Sequence, residues 1–251
     1  MILRRGDTLH HIKTLAAETG AQALYFTRSY EPAGIALEKR LKATCDALGI
    51  EVKRFGGTLL REPEELRTKE GQPYKVYTPF WRALSADWSP ARGLPAPKHL
   101  TSPKEKIASD KLESWNLLPS NPDWAGGLSA TWTPGEKGAA QRLKEFLKHA
   151  VAGYADTRNR PDLPGTSRLS PHLHFGEISP RQCWLAAVTS SGGKPASDKG
   201  TETFLKELVW REFSAHLLFH WPDLPEAPFR KEFVKFPWGE DPKRLQAWQR
   251  G

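Results

Sequence analysis

Over residues 1–60, short apolar runs of strand length alternate with longer stretches whose apolar positions recur at helical spacing. Ile2-Leu3 reads as a strand, residues 7–19 as a helix stopped by Gly20, and Ala23-Leu24-Tyr25-Phe26-Thr27 as a second strand. Residues 32–48 follow as a helix stopped by Gly49, and residues 50–55 as a third strand. Strands that alternate with helices imply parallel βαβ units with right-handed crossovers. Three parallel strands with one helix each leave a sheet edge and a face uncovered, so a further element is expected ahead of Leu3.

The pattern then changes. Residues 85–132 are rich in Pro, Ser and Gly and carry no sustained period. Trp88, Trp115, Trp124 and Trp132 lie in or beside this stretch, and so many indoles imply a connector that packs over a surface. From Thr133 the spacing is helical. Thr133-Pro134-Gly135-Glu136 reads as a capping box, followed at helical intervals by Leu143, Phe146, Leu147, Ala150, Val151 and Tyr154. Ser179-Pro180-Arg181-Gln182 repeats the start signal, and a third helix is expected over residues 201–220. The order is α/β, then connector, then all-α, with no strand expected in the last part.

Composition narrows the classes. Lys+Arg number 37 against Asp+Glu 29, with pI near 9.5, which is compatible with nucleic acid or an anionic surface but is weak alone. Cys45 and Cys183 are far apart and lack ligand spacing, which argues against a disulfide framework and a structural zinc; no metal is expected. No apolar run reaches the length of a membrane span and the first residues do not form a signal peptide, so a cytoplasmic protein without a membrane partner is expected.

Two clusters could carry chemistry. Gly165-Thr166-Ser167-Arg168-Leu169-Ser170-Pro171 offers three hydroxyls and a guanidinium leading toward a helix, a plausible anion cradle. On spacing alone an ordinary helix cap is the better fit. In Glu207-Leu208-Val209-Trp210-Arg211-Glu212-Phe213, a helix at about 100° per residue puts Phe204, Glu207, Trp210, Arg211 and Ser214 within about 120° of one another. Leu205, Leu208, Val209 and Phe213 fall on the other side. The plain alternative is an i,i+4 Glu–Arg ion pair beside a core Trp.

The run from Tyr154 through Gly165-Thr166-Ser167-Arg168-Leu169-Ser170-Pro171-His172-Leu173-His174-Phe175-Gly176-Glu177-Ile178-Ser179-Pro180-Arg181 resembles the flavin-domain motif of the DNA photolyase/cryptochrome family. Glu207-Leu208-Val209-Trp210-Arg211-Glu212-Phe213 resembles the next motif of that family. Val76-Tyr77-Thr78-Pro79-Phe80-Trp81-Arg82 is similar to the end of its antenna domain, Leu3-Arg4-Arg5-Gly6-Asp7 to its third strand, and Leu245-Gln246-Ala247-Trp248-Gln249 to a later helix. The whole pattern most resembles the bacterial class I enzymes, shortened at both ends.

That resemblance implies a partial Rossmann-like antenna domain over residues 1–84, a connector over 85–132, and the first part of a helical FAD-binding domain over 133–251. It implies that Tyr154, Thr166, Ser167, Arg168, Leu169, Ser170, Phe204 and Arg211 hold FAD, with the hydroxyls on its phosphates. Arg158 approaches the DNA strand. Glu207 and Trp210 face a flipped-out pyrimidine dimer, the indole stacking on the bases and the carboxyl bonding a base carbonyl. Trp238 corresponds to the outermost tryptophan of an electron relay. The implied activity is light-dependent repair of cyclobutane pyrimidine dimers by electron transfer from reduced FAD, by a monomer acting on damaged DNA. A folate- or deazaflavin-type antenna chromophore belongs to the family, but its contact residues are not recognisable around Tyr30-Glu31-Pro32-Ala33-Gly34. Two alternatives stay open: a cryptochrome photoreceptor, against which the retained Glu207 and Trp210 weigh, and a truncated product without a complete flavin site.

Overall fold

In a computed structural model the described residues are 1–86, 90–91, 93–104, 106–193, 198–237 and 239–251. Strands β1 (Ala23–Thr27) and β2 (Glu51–Phe55) pair in parallel with Ala23 opposite Glu51 and Thr27 opposite Phe55. Helix α2 (Pro32–Ala47) makes the crossover and buries Leu41 and Cys45. Helix α1 (Thr8–Thr19) starts where the Asp7 carboxylate accepts the His10 amide at 2.7 Å, and Gly20 ends it at φ 65°, a left-handed conformation that glycine adopts without strain.

The strand expected at Ile2-Leu3 does not form; among the described residues the sheet has two strands. Its backbone groups bond instead to the connector. Asp110 N–H donates to the Leu3 carbonyl at 2.8 Å, Leu3 N–H donates to Ser109 Oγ at 2.9 Å, and Arg5 N–H donates to the Asp110 carboxylate at 3.1 Å. Apolar length alone does not make a strand; its amides need a sheet partner, and here the connector meets them first.

Beyond the sheet, the segment 58–67 and helix α3 (Tyr77–Ser85) lie against the helical part. Leu60, Phe80 and Leu84 are fully buried in one core with Phe146, Trp184, Leu205, Val209 and Phe213. The connector contains a 3-10 turn (Leu112–Trp115) and the short helix α4 (Gly126–Thr131). Its tryptophans divide: Trp132 is covered by Arg142 at 4.7 Å and meets His172 edge-on, whereas Trp124 is exposed. Trp88 lies outside the described residues.

The helical part comprises α5 (Glu136–His149), α6 (Tyr154–Thr157), α7 (Ser170–His174), α8 (Pro180–Ser190), α9 (Lys199–His220) and α10 (Pro242–Arg250), with no strand among the described residues. The α8 capping box forms as read, Ser179 accepting from Gln182 N–H while the Gln182 side chain accepts from Ser179 N–H. The α5 box does not. That helix begins after Gly135, whose φ of 96° breaks the chain away from Thr133, and no side chain caps it. Gly138 explains the geometry: a Cβ there would sit 1.9 Å from the Thr133 carbonyl oxygen, so the chain before the helix is pressed onto its first turn.

Helix α9 is the axis of the core. The Asp198 carboxylate caps it by accepting the Thr201 amide at 2.7 Å. Its first turn lies so close to the 3-10 turn Val151–Gly153 that a Cβ on Gly200 would stand 1.9 Å from the Val151 carbonyl oxygen. Leu205, Leu208, Val209 and Phe213 face inward as the periodicity requires, each worth about 1.5–3 kcal/mol of burial. Phe204, Glu207, Arg211 and Ser214 of the opposite stripe line a cavity. Among the described residues no helix is long and apolar enough to cross a membrane.

Candidate functional site

A cavity of about 1090 Å³ lies between the β1–α2 loop and the helical part, at the upper end of the size usual for ligand pockets. Tyr154, Ser167, Leu169, Ser170, Phe204, Glu207 and Arg211 line it, so both clusters singled out in the sequence meet in one place. Thr166 and Arg168, from the same cradle, do not line it and are exposed. Arg168 has φ 50°, uncommon for a residue with a side chain, and this turn separates Ser167 from the start of α7. The chain passes close to α6 just before it: a Cβ on Gly165 would meet Thr157 Oγ1 at 2.6 Å.

The cradle is made of hydroxyls rather than of a helix end, because α7 is only one turn long. Within the described residues no protein group bonds the hydroxyls of Ser167 or Ser170, and both face the cavity. The turn after α7 is fixed from behind by His172, whose Nδ1 lies 2.5 Å from the Glu177 carboxylate and holds that carboxyl below its usual range.

On α9 the i,i+4 pair of Glu207 with Arg211 is not formed. Glu207 pairs instead with Arg158, from the end of α6, and Arg211 donates to the Thr58 carbonyl at 2.6 Å. Trp210 is no core residue either. It is 46% exposed, does not line the cavity, and stacks on Tyr77 with ring centroids 3.6 Å apart. Tyr154 and Tyr77 are both shifted upward, first by burial and then by the nearby Glu207 carboxylate. Trp238 lies outside the described residues.

The facing wall was given no role in the sequence reading. Residues 27–31 and 58–59 contribute Arg28, Ser29, Tyr30 and Thr58 to the cavity. Arg28 is fixed by Glu62 and Glu64, each at 2.8 Å, and Tyr30 Oη donates to Glu62 at 2.8 Å. A legible signal existed: polar residues just past the carboxyl end of a parallel strand are where open α/β sheets bind ligands. Segment 58–60 is held in place by polar side chains from the helices. Leu60 N–H donates to Glu212 at 2.7 Å and Arg181 donates to the Leu60 carbonyl at 3.2 Å.

Glu212 has a consequence for stability. Burial pushes its carboxyl up to about 8, against the pull of the Leu60 amide and Arg211. Burial, with His220 beside it, pushes His216 down to about 4, and His220 is lowered likewise. A carboxyl with a raised folded pKa keeps its proton where the unfolded chain has lost it, so stability falls as pH rises toward 8. A depressed histidine acts in the opposite sense, and stability falls as pH drops below about 6.5. The two effects oppose each other on the acid side, leaving a shallow profile, and only Glu212 acts above it. Unfolding free energy is therefore expected to fall by about 1.4 kcal/mol per pH unit from about 6.5 to 8. Glu212→Gln should abolish that fall; denaturant melts at stepped pH check it, and a parent profile flat over this range contradicts it.

Residues 1–99 match the family model described as DNA photolyase, and residues 204–251 match the FAD binding domain of DNA photolyase. A deoxyribodipyrimidine photo-lyase from Agrobacterium fabrum is 45% identical over 251 residues, covering 100% of this chain and 52% of that protein. Cryptochrome-1 of Arabidopsis thaliana is 31% identical over 99% of this chain and 37% of its own. The crystal structure of a bacterial class III photolyase from Agrobacterium tumefaciens superposes with a TM-score of 0.92 at 45% identity, over 99% of this chain and 51% of that one. That neighbour is assigned to class III, where the sequence reading drew its likeness to class I. The chain spans about half the length of curated photo-lyases that it matches.

Proposed function

This chain belongs to the DNA photolyase/cryptochrome family, and on that premise we propose that its cavity is the phosphate side of a flavin site in a light-driven enzyme that repairs cyclobutane pyrimidine dimers in DNA. The observation that carries the reading is the meeting of two groups in one cavity: the free hydroxyls of Ser167 and Ser170, and the Glu207–Arg211 stripe of α9. FAD fits this donor set, since the hydroxyls have no protein partner among the described residues and suit phosphate oxygens. Tyr154, Leu169 and Phe204 supply apolar surface beside them. When bound, reduced FAD supplies the excited electron that opens the dimer ring and takes it back afterwards.

The chain's own residues hold and orient. Ser167 and Ser170 donate to the phosphates, and Arg211, held by the Thr58 carbonyl, places a fixed positive charge at the edge of the cavity. Arg158 and Glu207, implied to meet the DNA strand and the base respectively, are paired with each other here. Binding DNA then exchanges one ion pair for another, Arg158 moving to a backbone phosphate and freeing the carboxyl. A bond to a base carbonyl requires the Glu207 carboxyl to leave Arg158 and act as the donor. The retained Glu207 and Trp210 favour repair over a purely signalling photoreceptor, and the basic balance of the chain suits a DNA partner.

Titration of the purified protein with FAD, read by quenching of flavin fluorescence, tests the site. Ser167→Ala/Ser170→Ala is expected to weaken binding by about tenfold or more, since each hydrogen bond to a charged group is worth about 1.5–3 kcal/mol. Parental affinity in the double variant would remove the phosphate role from this cradle.

A further inference from the structure

We propose that Tyr77 is a positioning residue for Trp210, holding the indole so that one face alone is offered to a base. The inference rests on the reading that Trp210 meets extruded bases, and it goes beyond that reading by naming what sets the indole's orientation.

The two rings lie 5° from parallel at 3.6 Å between centroids. Tyr77 opens α3, far from α9 in the chain, and is held there by two anchors. Phe80 and Leu84 of the same helix are 1% and 0% exposed in the core. The Tyr77 hydroxyl donates to the Lys206 carbonyl at 2.7 Å, the same carbonyl that in a regular helix accepts the Trp210 amide. Tyr77 therefore grips both the indole and the backbone turn that carries it. Phe213 closes the cluster, edge-on to Tyr77 at 5.9 Å and to Trp210 at 6.0 Å.

A tryptophan exposed on a helix surface samples several rotamers, and a base that stacks on it must first collect them into one. Here that ordering is done before DNA arrives. One π-face is spent on Tyr77, and Trp210 is still 46% exposed. A single flat partner, one base of an extruded dimer, can then stack. Pre-ordering one large side chain is worth about two- to tenfold in affinity.

The test is the equilibrium affinity for an oligonucleotide bearing one pyrimidine dimer, corrected for folded fraction, in Tyr77→Met, Tyr77→Phe, Trp210→Ala and the double variant Tyr77→Met/Trp210→Ala. Methionine fills the volume without a flat ring and is expected to weaken binding by about two- to tenfold. Phenylalanine keeps the ring and is expected to restore affinity to within about twofold of the parent. Adding Tyr77→Met to Trp210→Ala should cost nothing further, because the two act as one unit. Parental affinity in Tyr77→Met, or fully additive losses in the double variant, overturns the proposal. If Tyr77→Met leaves too little folded protein, Tyr77→Leu decides by the same comparison: a loss that vanishes in the Trp210→Ala background supports the proposal, and parental affinity overturns it. An effect of Trp210→Ala without one of Tyr77→Met removes only this inference, whereas no effect of Trp210→Ala removes the reading of α9 beneath it as well.

Discussion

Glu207→Ala is expected to lower the yield of repair per absorbed photon by about tenfold or more while leaving affinity for damaged DNA near the parental value. Glu207 reaches the cavity from α9, and its carboxyl is held by Arg158 rather than by a neighbour on its own helix. Its proposed task is to stabilise charge on a base that becomes negative only once the electron has arrived. An interaction confined to that state changes the rate of ring opening and contributes little to the ground-state complex. Removing the carboxyl also frees Arg158 for a DNA phosphate, so binding has no reason to fall. Quantum yield and dimer affinity measured on the same folded protein separate this from a structural role, under which a drop in thermal stability would be the only change.

Trp210→Ala should show the opposite emphasis. Stacking on an aromatic side chain is worth about 1–3 kcal/mol per base, so affinity for dimer-bearing DNA is expected to fall about tenfold or more. Stability should change far less, because the indole is 46% exposed and its main protein contact is the Tyr77 ring. That pair contributes about 0.5–1.5 kcal/mol. Binding isotherms at one fixed salt concentration, paired with thermal melts, check both halves. Unchanged affinity alongside a large loss of stability would turn Trp210 into a packing residue.

The elements that were legible in the sequence are those whose signals are local. Helix α9 follows from its 3.6-residue period, and α8 from Ser179 and Gln182, whose reciprocal bonds lie within a single turn. The failures are places where a distant segment decides. Ile2-Leu3 has the composition of a strand, but the Leu3 amide donates to Ser109 and its carbonyl accepts from Asp110, more than a hundred positions away. Thr133 looks like a cap until Gly138 lets the preceding chain fold onto the helix. The same holds at the site. The stripe containing Glu207 and Arg211 was readable from α9 alone, whereas spacing alone favoured a plain cap for the Thr166–Ser170 segment, of which Ser167, Leu169 and Ser170 line the cavity. The partners that set the state of the stripe were not readable: Arg158 on Glu207, the Thr58 carbonyl on Arg211 and Tyr77 on Trp210 all come from other elements. Residues 27–31, which form the facing wall, belong to a loop whose role depends on where the helical part lies.

The most direct measurement is illumination of the purified protein, with its flavin reduced, together with an oligonucleotide carrying a single cyclobutane thymine dimer. The ultraviolet absorbance of the restored thymines reports ring opening as it occurs. Blue light is expected to restore that absorbance while a matched sample in darkness stays unchanged, and Glu207→Ala should slow the rise without abolishing binding. A protein that holds reduced flavin and binds the oligonucleotide, yet gives the same absorbance in light and in darkness, would contradict the repair function proposed for it.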